Sequence, residues 1–333
     1  MSIVTTDRHR PLRVGIIGCA DIAWRRTLPA MADHPRVEVV AVASRDGRRA
    51  ATFTERFGGT PHAGYESVVE RDDVDAVYIP LPLMLHSEWI ERSLGSGKHV
   101  LVEKPMTEDY KESSRLIDLA RARRLVLSEN YMFLHHSQHA DVAGLLEAGA
   151  IGEVRGFSST FTIPPKPAGD IRYQPDVGGG AFLDFGGYPL RAAAHFLGVD
   201  LQVVGAVFRV DAQLGVVLSG DVLLSTPQGV PAQLKFGMEH SYQNSYAFAG
   251  STGRLLLDRV FTPPDHHCPV VRIDRQDHRE ELVLKPDHQF ARVIDSFVRA
   301  VLDGEDKHVE QERTLDQAAL IQHVERAAVH IKV

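Results

Sequence analysis

Arg13-Val14-Gly15-Ile16-Ile17-Gly18-Cys19-Ala20-Asp21-Ile22-Ala23 decides the fold of this chain. Its first five residues read as a buried strand, and Gly18 to Ala23 turn that strand into a helix. Backbone N–H groups at such a turn point outward and can receive the pyrophosphate of a dinucleotide. The fingerprint asks for small residues at the first, third and sixth positions of the turn, filled here by Gly18, Ala20 and Ala23, with Gly15 lying earlier in the strand. Ala20 is a departure, because its Cβ limits how closely a phosphate approaches. Asp21 suits the positive end of the helix dipole but opposes a nearby phosphate. Gly18, Cys19, Ala20, Asp21 and Ile22 are therefore the first expected cofactor-binding residues. A turn of this kind is weak evidence alone, and its context carries the reading.

That context is a series of short apolar runs alternating with amphipathic stretches. Strands are expected at 13–17, 37–43, 75–79, 99–102 and 125–128, with helices over 46–57, 84–95 and 109–123 between them. Near-continuous apolar strands separated by helices predict a parallel sheet covered on both faces. After Asn130 the rhythm changes. A helix over 136–147 leads to a strand over 154–163, a loop rich in Pro and Gly, and a helix from 180 to 197. Several long strands follow between Val203 and Leu284, then helices over 288–303 and 314–331. The expected fold class is α/β. Residues 1–130 form a dinucleotide-binding domain of the Rossmann kind, on which the last helix can pack back. Residues 131–333 form an α+β domain with a large open, mostly antiparallel sheet, expected to bind substrate and to form a homodimer or homotetramer.

Whole-chain properties narrow the function. The chain has 333 residues and a formal net charge of -7, which argues against a nucleic-acid groove. No apolar stretch is long enough to span a membrane. Met1 to Pro11 is polar, without the apolar centre of a signal peptide, and is expected to fray. The two cysteines, Cys19 and Cys268, have no metal-like spacing and fit a reducing cytoplasm. His135-His136 and His266-His267 are neighbours whose rings point differently, so no metal site is expected.

The end of the second strand distinguishes two cofactors. An NAD site usually places an acidic residue there, on the ribose 2′-hydroxyl. This chain has Ser44-Arg45, followed by Arg48 and Arg49. A hydroxyl and a guanidinium suit a 2′-phosphate, so NADP(H) is the expected cofactor. Tyr65 joins Ser44, Arg45 and Arg49 among the expected cofactor residues. So does Pro80-Leu81-Pro82, which leaves the Tyr78-Ile79 strand toward the same crevice. His86 either lines that channel or caps the next helix. Glu103-Lys104-Pro105 follows the next strand, where a ligand crevice lies. Lys104 can bond a substrate carbonyl or alkoxide oxygen and stabilise developing charge. Glu103 can orient that lysine or the nicotinamide ribose, and the bond before Pro105 is open to either isomer. In the second half, Asp184 and Tyr188 are four apart, on one face of a helix. Tyr188 can give a proton to a ketone oxygen, or be a core aromatic.

Gly18 to Ala23, Ala43-Ser44-Arg45, Gly97-Lys98-His99-Val100, Glu103-Lys104-Pro105 and Asp184 to Pro189 together resemble the glucose-fructose oxidoreductase, inositol dehydrogenase and rhizopine-catabolism (Gfo/Idh/MocA) family. The likeness covers nearly the whole chain. It implies a Rossmann domain, an open-sheet domain, and hydride transfer between a nicotinamide and a sugar, cyclitol or diol. The family lysine falls on Lys104. Tyr188 stands where the family often has histidine, which turns the expectation away from inositol oxidation.

Glu129 to His136, Phe161 to Lys166, Gly169 to Tyr173 and Phe236 to His240 look most like the nucleotide-sugar 3-ketoreductases of deoxysugar biosynthesis. That likeness implies reduction by NADPH of the C3 ketone of a dTDP-3,4-diketo-2,6-dideoxy-D-glucose. Lys104 would polarise or orient the sugar, and Tyr188 would protonate the new alkoxide. Arg172 is then a candidate for the diphosphate, and Phe161 and Tyr246 for packing on the sugar or base, with Asp184 on a substrate hydroxyl. The alternatives are an NADP-dependent dehydrogenase of a free sugar or trans-dihydrodiol and, in another class, a nonenzymatic nucleotide-binding regulator.

Overall fold

β1, Leu12–Ile17, is apolar at every position but Arg13 and Gly15, and this lets it run through the middle of a sheet. The computed structural model describes residues 10–333, so the tail expected to fray lies largely outside the described residues. After β1 the helical stretch contains a π-turn, Ala23–Thr27, leading into α1, Leu28–Ala32. Then come β2 (Val37–Ser44), α2 (Gly47–Phe57), β3 (Thr60–Ala63), α3 (Glu66–Val69), β4 (Ala76–Ile79), α4 (His86–Gly95), β5 (His99–Glu103), α5 (Tyr110–Arg123) and β6 (Leu127–Asn130). The six strands lie in the order β3-β2-β1-β4-β5-β6, all parallel. This is the doubly wound order, with its switch point between β1 and β4. Gly18, after β1, therefore sits where strand order reverses. β3 was not expected: Thr60-Pro61-His62-Ala63 has no apolar run and holds a proline, which the sheet edge tolerates.

The second part begins with α6, Ser137–Glu147, and β7, Val154–Ile163. A loop with two short 3-10 turns leads to a π-turn, Phe182–Gly186, and directly into α7, Gly187–Leu197. Next come β8 (Gln202–Val210), β9 (Val217–Ser225), β10 (Pro231–Met238), β11 (Gln243–Gly250), β12 (Gly253–Asp258), β13 (Val270–Arg275) and β14 (Arg279–Val283). α8 (Gln289–Leu302), α9 (His308–Ala327) and β15 (Ala328–Lys332) end the chain. The sheet order is β14-β13-β12-β11-β7-β10-β9-β8-β15. Only β7–β10 and β8–β15 are parallel among its pairs, so the sheet is mixed and mostly antiparallel. One face carries a dense aromatic core under α7, including Phe157, Phe236 and Phe248.

Two compact units result: residues up to His135 with Gln289–Leu315, and His136–His288 with Asp316–Val333. α9 starts in the first unit, where Gln311 Nε2 donates to the carbonyl of Leu127 (3.3 Å) and Thr314 Oγ1 to Glu129 (3.2 Å). The helix expected over 314–331 starts earlier and stops at Ala327. Val329 and Ile331, both β-branched, instead join the open edge of β8 as β15, where the backbone gains ladder partners.

His99 shows how tightly the first sheet is closed. Its Nδ1 accepts the N–H of Val126 at 2.9 Å, and burial pushes its pKa down to about 4, against the attraction of Asp75. The folded chain thus keeps this ring neutral where an unfolded chain takes a proton, at pH about 6.5. Its contribution is whole above that value and is lost as pH falls toward 4. His99→Asn keeps an acceptor near the Nδ1 position without a titrating ring. Urea midpoints of the variant between pH 4 and 6.5 should fall less steeply than those of the parent, by up to about 1.4 kcal/mol per pH unit in the derived stability. Equal slopes would remove His99 from the pH dependence.

Candidate active site

The dinucleotide turn is built from a glycine that nothing larger can replace. Gly18 has φ +115°, and a Cβ there would stand 2.7 Å from Leu81 Cδ2 and 3.3 Å from the carbonyl oxygen of Pro80. Its N–H donates to Ala43 O at 2.9 Å. The Pro80-Leu81 segment can therefore lie against the turn, as expected from its place at the end of β4. Ala20 and Ile22 are partly exposed and Asp21 is exposed. Arg25, one turn on, pairs with Asp21 at 2.6 Å and offsets the charge that would oppose a phosphate. The thiol of Cys19 is buried and pushed up to about 11 by that burial, against the pull of Arg49 and a hydrogen bond from Ser44. Cys19 is a packing residue of the turn rather than a nucleophile.

At the end of β2, Ser44 Oγ accepts the N–H of Asp46 (3.2 Å). Asp46 is spent on capping α2, accepting from Arg48 N at 3.0 Å. Arg45, Arg48 and Arg49 are exposed beside it. Tyr65 holds one of them: burial pushes its phenol pKa up, while a hydrogen bond with the Arg45 side chain acts the other way. The Tyr65 ring stands edge-on to Trp89 at 5.1 Å.

His86 takes a role the sequence did not suggest. It is 1% exposed, with Nδ1 3.0 Å from Pro105 O and Nε2 2.9 Å from Leu81 O. Burial, joined by the charge of Lys104, lowers its pKa against those carbonyls, so the ring is neutral and one nitrogen donates. With both nitrogens facing backbone, the ring neither lines a channel nor caps a helix through its side chain. It packs between the segment over Gly18 and the lysine loop, hydrogen-bonded to one of the two.

In that loop the Lys104–Pro105 bond is cis. Sheet register sets its neighbours. Glu103 lies opposite Asn130, and Tyr78 opposite Leu101, two residues before Glu103 on the same face. The Tyr78 hydroxyl donates to Glu103 Oε1 at 2.6 Å and Asn130 Nδ2 to the same oxygen at 2.7 Å. Burial pushes the carboxyl of Glu103 up, while Tyr78, Lys104 and Asn130 oppose it. Beyond Pro105, the N–H of Met106 donates to Glu129 Oε1 at 2.8 Å. Lys104 is thus flanked on both sides by bonds to β6. Tyr78, Glu129 and Asn130 were not among the expected site residues. Their signal is position, since polar residues at the carboxyl ends of buried parallel strands face the ligand edge.

The second unit shapes the surroundings of Tyr188. The helix widens over Phe182–Gly186 and tightens again at Gly187, placing Tyr188 one residue into α7. Gly186 is required because a Cβ would fall 2.8 Å from Phe182 and 3.1 Å from Phe236. Gln317 Nε2 donates to the carbonyl of Gly187 at 2.9 Å, securing the same turn. Tyr188 is 4% exposed, with Phe161 at 5.1 Å, edge to face, and Phe261 at 5.4 Å. Phe161 is itself buried, so it props the Tyr188 ring instead of offering a face to a sugar.

Two further expectations change. Arg172 Nε lies 2.6 Å from Asp184 Oδ2 and Nη1 3.0 Å from Asp170 Oδ1, with the guanidinium over Phe185. Burial lowers its pKa, but the two carboxylates outweigh it and the net shift is upward. A cation matched by two anions has no spare charge for a diphosphate, so Arg172 fixes Asp184 instead. Tyr246, expected on the substrate, is 1% exposed on the inner face of β11. Its hydroxyl bonds His139 Nδ1 at 3.0 Å among Phe157, Phe196 and Phe248. It is a core residue. Among the described residues no group of three His, Cys, Asp or Glu side chains is placed to hold a metal.

The likeness to known proteins extends through both units. The family described as "Oxidoreductase family, NAD-binding Rossmann fold" matches residues 12–131, and the "GFO/IDH/MocA C-terminal domain" matches 139–256. A dTDP-3,4-didehydro-2,6-dideoxy-alpha-D-glucose 3-reductase of Actinomadura kijaniata is 59% identical over 96% of each chain. One of the same name from Streptomyces antibioticus is 57% identical over 88% of this chain and 89% of its own. The crystal structure of KijD10, a 3-ketoreductase from Actinomadura kijaniata in complex with NADP and TDP-benzene, superposes with a TM-score of 0.96 at 58% identity, covering 97% of this chain and 100% of that one. By these matches, and by the sheet order and glycine turn that frame its site, the chain belongs to the GFO/IDH/MocA oxidoreductase family.

Proposed function

We propose that this chain is the NADPH-dependent reductase of the C3 ketone of a dTDP-3,4-diketo-2,6-dideoxy-D-glucose, a step of deoxysugar biosynthesis. The observation that carries this reading is 59% identity, spanning both units, with a reductase named for that reaction. The local chemistry supports the cofactor. The end of β2 offers a hydroxyl and three exposed arginines, and its one carboxylate, Asp46, is held as a helix cap. That set suits a 2′-phosphate and not a bare ribose.

When bound, the reduced nicotinamide supplies a hydride to C3. Residues 18–22 receive the pyrophosphate on backbone N–H groups, and Ser44, Arg45 and Arg49 hold the 2′-phosphate. Lys104 donates to the ketone oxygen and stabilises the charge that gathers there. Tyr188 gives its phenolic proton to that oxygen. Asp184, steadied by Arg172, accepts from a sugar hydroxyl. We place the reaction in the cytoplasm, since Cys19 and Cys268 are both free thiols. No described helix is long and apolar enough to cross a membrane.

We also assign self-association to the outer face of the nine-stranded sheet. Val207 on β8 and Val329 on β15 are paired in register, and both are exposed, as are Leu223 and Ile331. Clustered apolar side chains on a flat sheet are what an isologous contact buries.

Four measurements test these readings. Freshly made diketo-sugar nucleotide should oxidise NADPH, with NMR of the product showing a hydroxyl at C3. Lys104→Met and Tyr188→Phe should lower kcat by about a hundredfold, with NADPH affinity kept, and full activity in both would refute the assigned roles. Arg45→Ala combined with Arg49→Ala should raise the KM for NADPH about tenfold or more while sparing that for NADH. Light scattering should give a dimer or tetramer, and Val207→Glu should shift it toward smaller species. A monomeric parent would defeat the interface.

A further inference from the structure

Glu103 is gripped by groups that only donate. Tyr78 is fully buried, and its hydroxyl reaches Oε1 at 2.6 Å. Asn130, also fully buried, reaches the same oxygen through Nδ2 at 2.7 Å, and the backbone N–H of Lys104 adds a third donor. Thr27 Oγ1 lies 3.0 Å from the Tyr78 hydroxyl. Tyr78 has one proton and spends it on Glu103, so Thr27 donates to Tyr78. The result is a relay running from the π-turn of the first helix, through β4, to the carboxylate beside Lys104.

Packing does not account for this relay. A phenylalanine would fill the Tyr78 space without placing a hydroxyl in the core, where a polar group needs a partner. Asn130 even leaves its Oδ1 buried with no hydrogen-bond partner. Turning the amide over would set that oxygen against the carboxylate, so the orientation follows from Glu103 being an anion. Every donor in the relay favours the charged form of one group, and that group adjoins the lysine.

We propose that Tyr78 and Asn130 are positioning residues: they hold Glu103 as a fixed carboxylate, and this keeps Lys104 an ammonium in one orientation for the ketone oxygen. The inference deepens the function given above and rests on Lys104 being the catalytic lysine. Around Glu103 stand Tyr78 from β4, Asn130 from β6 and Lys104 from its own loop. Farther along the loop, Glu129 is bound to Met106 N and Thr314, and His86 of α4 faces the carbonyls of Leu81 and Pro105. Burial already presses Glu103 toward the neutral acid. Removing a donor to the anion presses it further the same way.

The sign of the pH effect follows. Glu103 is charged above its pKa, and activity falls as pH falls through that value. Tyr78→Phe should move the acid limb of the kcat profile up by about one pH unit, the size expected for one hydrogen bond to a charged group. The alkaline plateau should stay within about threefold and the KM for NADPH should hold. Thr27→Val should move the limb the same way by less, and Glu103→Gln should abolish it at reduced kcat. A limb that stays in place in Tyr78→Phe, or a loss equal at every pH, overturns the proposal. If Tyr78→Phe does not fold, Thr27→Val decides, and an unmoved limb there overturns it equally. Lys104→Met separates the two levels. A fully active Lys104→Met enzyme overturns both the function of the lysine and the relay, whereas a slowed one beside unmoved limbs overturns the relay alone.

Discussion

A neutral imidazole sits between the segment over the Gly18 turn and the loop that carries Lys104. His86 lies between the carbonyls of Leu81 and Pro105 and donates its one N–H to one of them. Leu81 is the residue that Gly18 admits against the turn, and Pro105 follows Lys104. The Gly18 turn, the segment over it and the lysine loop thus form one chain of contacts within a single unit. Because burial keeps the ring uncharged, it can serve as a strut without adding a second cation beside Lys104.

The second unit holds a phenol in place by packing. Tyr188 is held by rings on two sides, and its helix is pressed onto the sheet through a glycine. The π-turn just before it changes the phase of the helix, so Asp184 and Tyr188 are not related by ordinary i, i+4 geometry. Arg172 then fixes Asp184 from the preceding loop. Aromatic packing and ion pairing therefore restrict the two polar side chains separately, and the rotamer entropy of each is lost on folding and not on binding.

How much was legible in the sequence depended on whether a residue's role was local. The strands of the first sheet, the turn at Gly18 and the arginines after β2 could be read directly, because periodicity and a fixed spacing express them. β3 could not, since an edge strand beside α2 needs no apolar run. β15 could not either, because its pairing with β8 depends on residues more than a hundred positions away. Tyr246 and Phe161 alternate with polar neighbours, and alternation says that a strand has two faces without saying which is the core. Arg172 was legible as a cation but not as a paired one, since its partner Asp184 lies across a loop of irregular backbone. His86 was legible only as a histidine at a helix start, because both its partners are carbonyls that no side-chain pattern announces.

Polar burial in the first unit follows the same division between local pattern and distant partner. β6 holds Ser128, Glu129 and Asn130, all buried, where a strand chosen for stability would carry branched apolar residues. Two of its atoms, Ser128 Oγ and Asn130 Oδ1, lack a hydrogen-bond partner. Each such atom costs on the order of 1–3 kcal/mol. Glu129 and Asn130 recover part of this by bonding Met106 N and Glu103, the two flanks of Lys104. The strand gives up core stability at one end of the sheet, and the return is a lysine loop whose backbone and charge are both constrained. A fold that needed only to close its sheet would have no reason to accept that exchange.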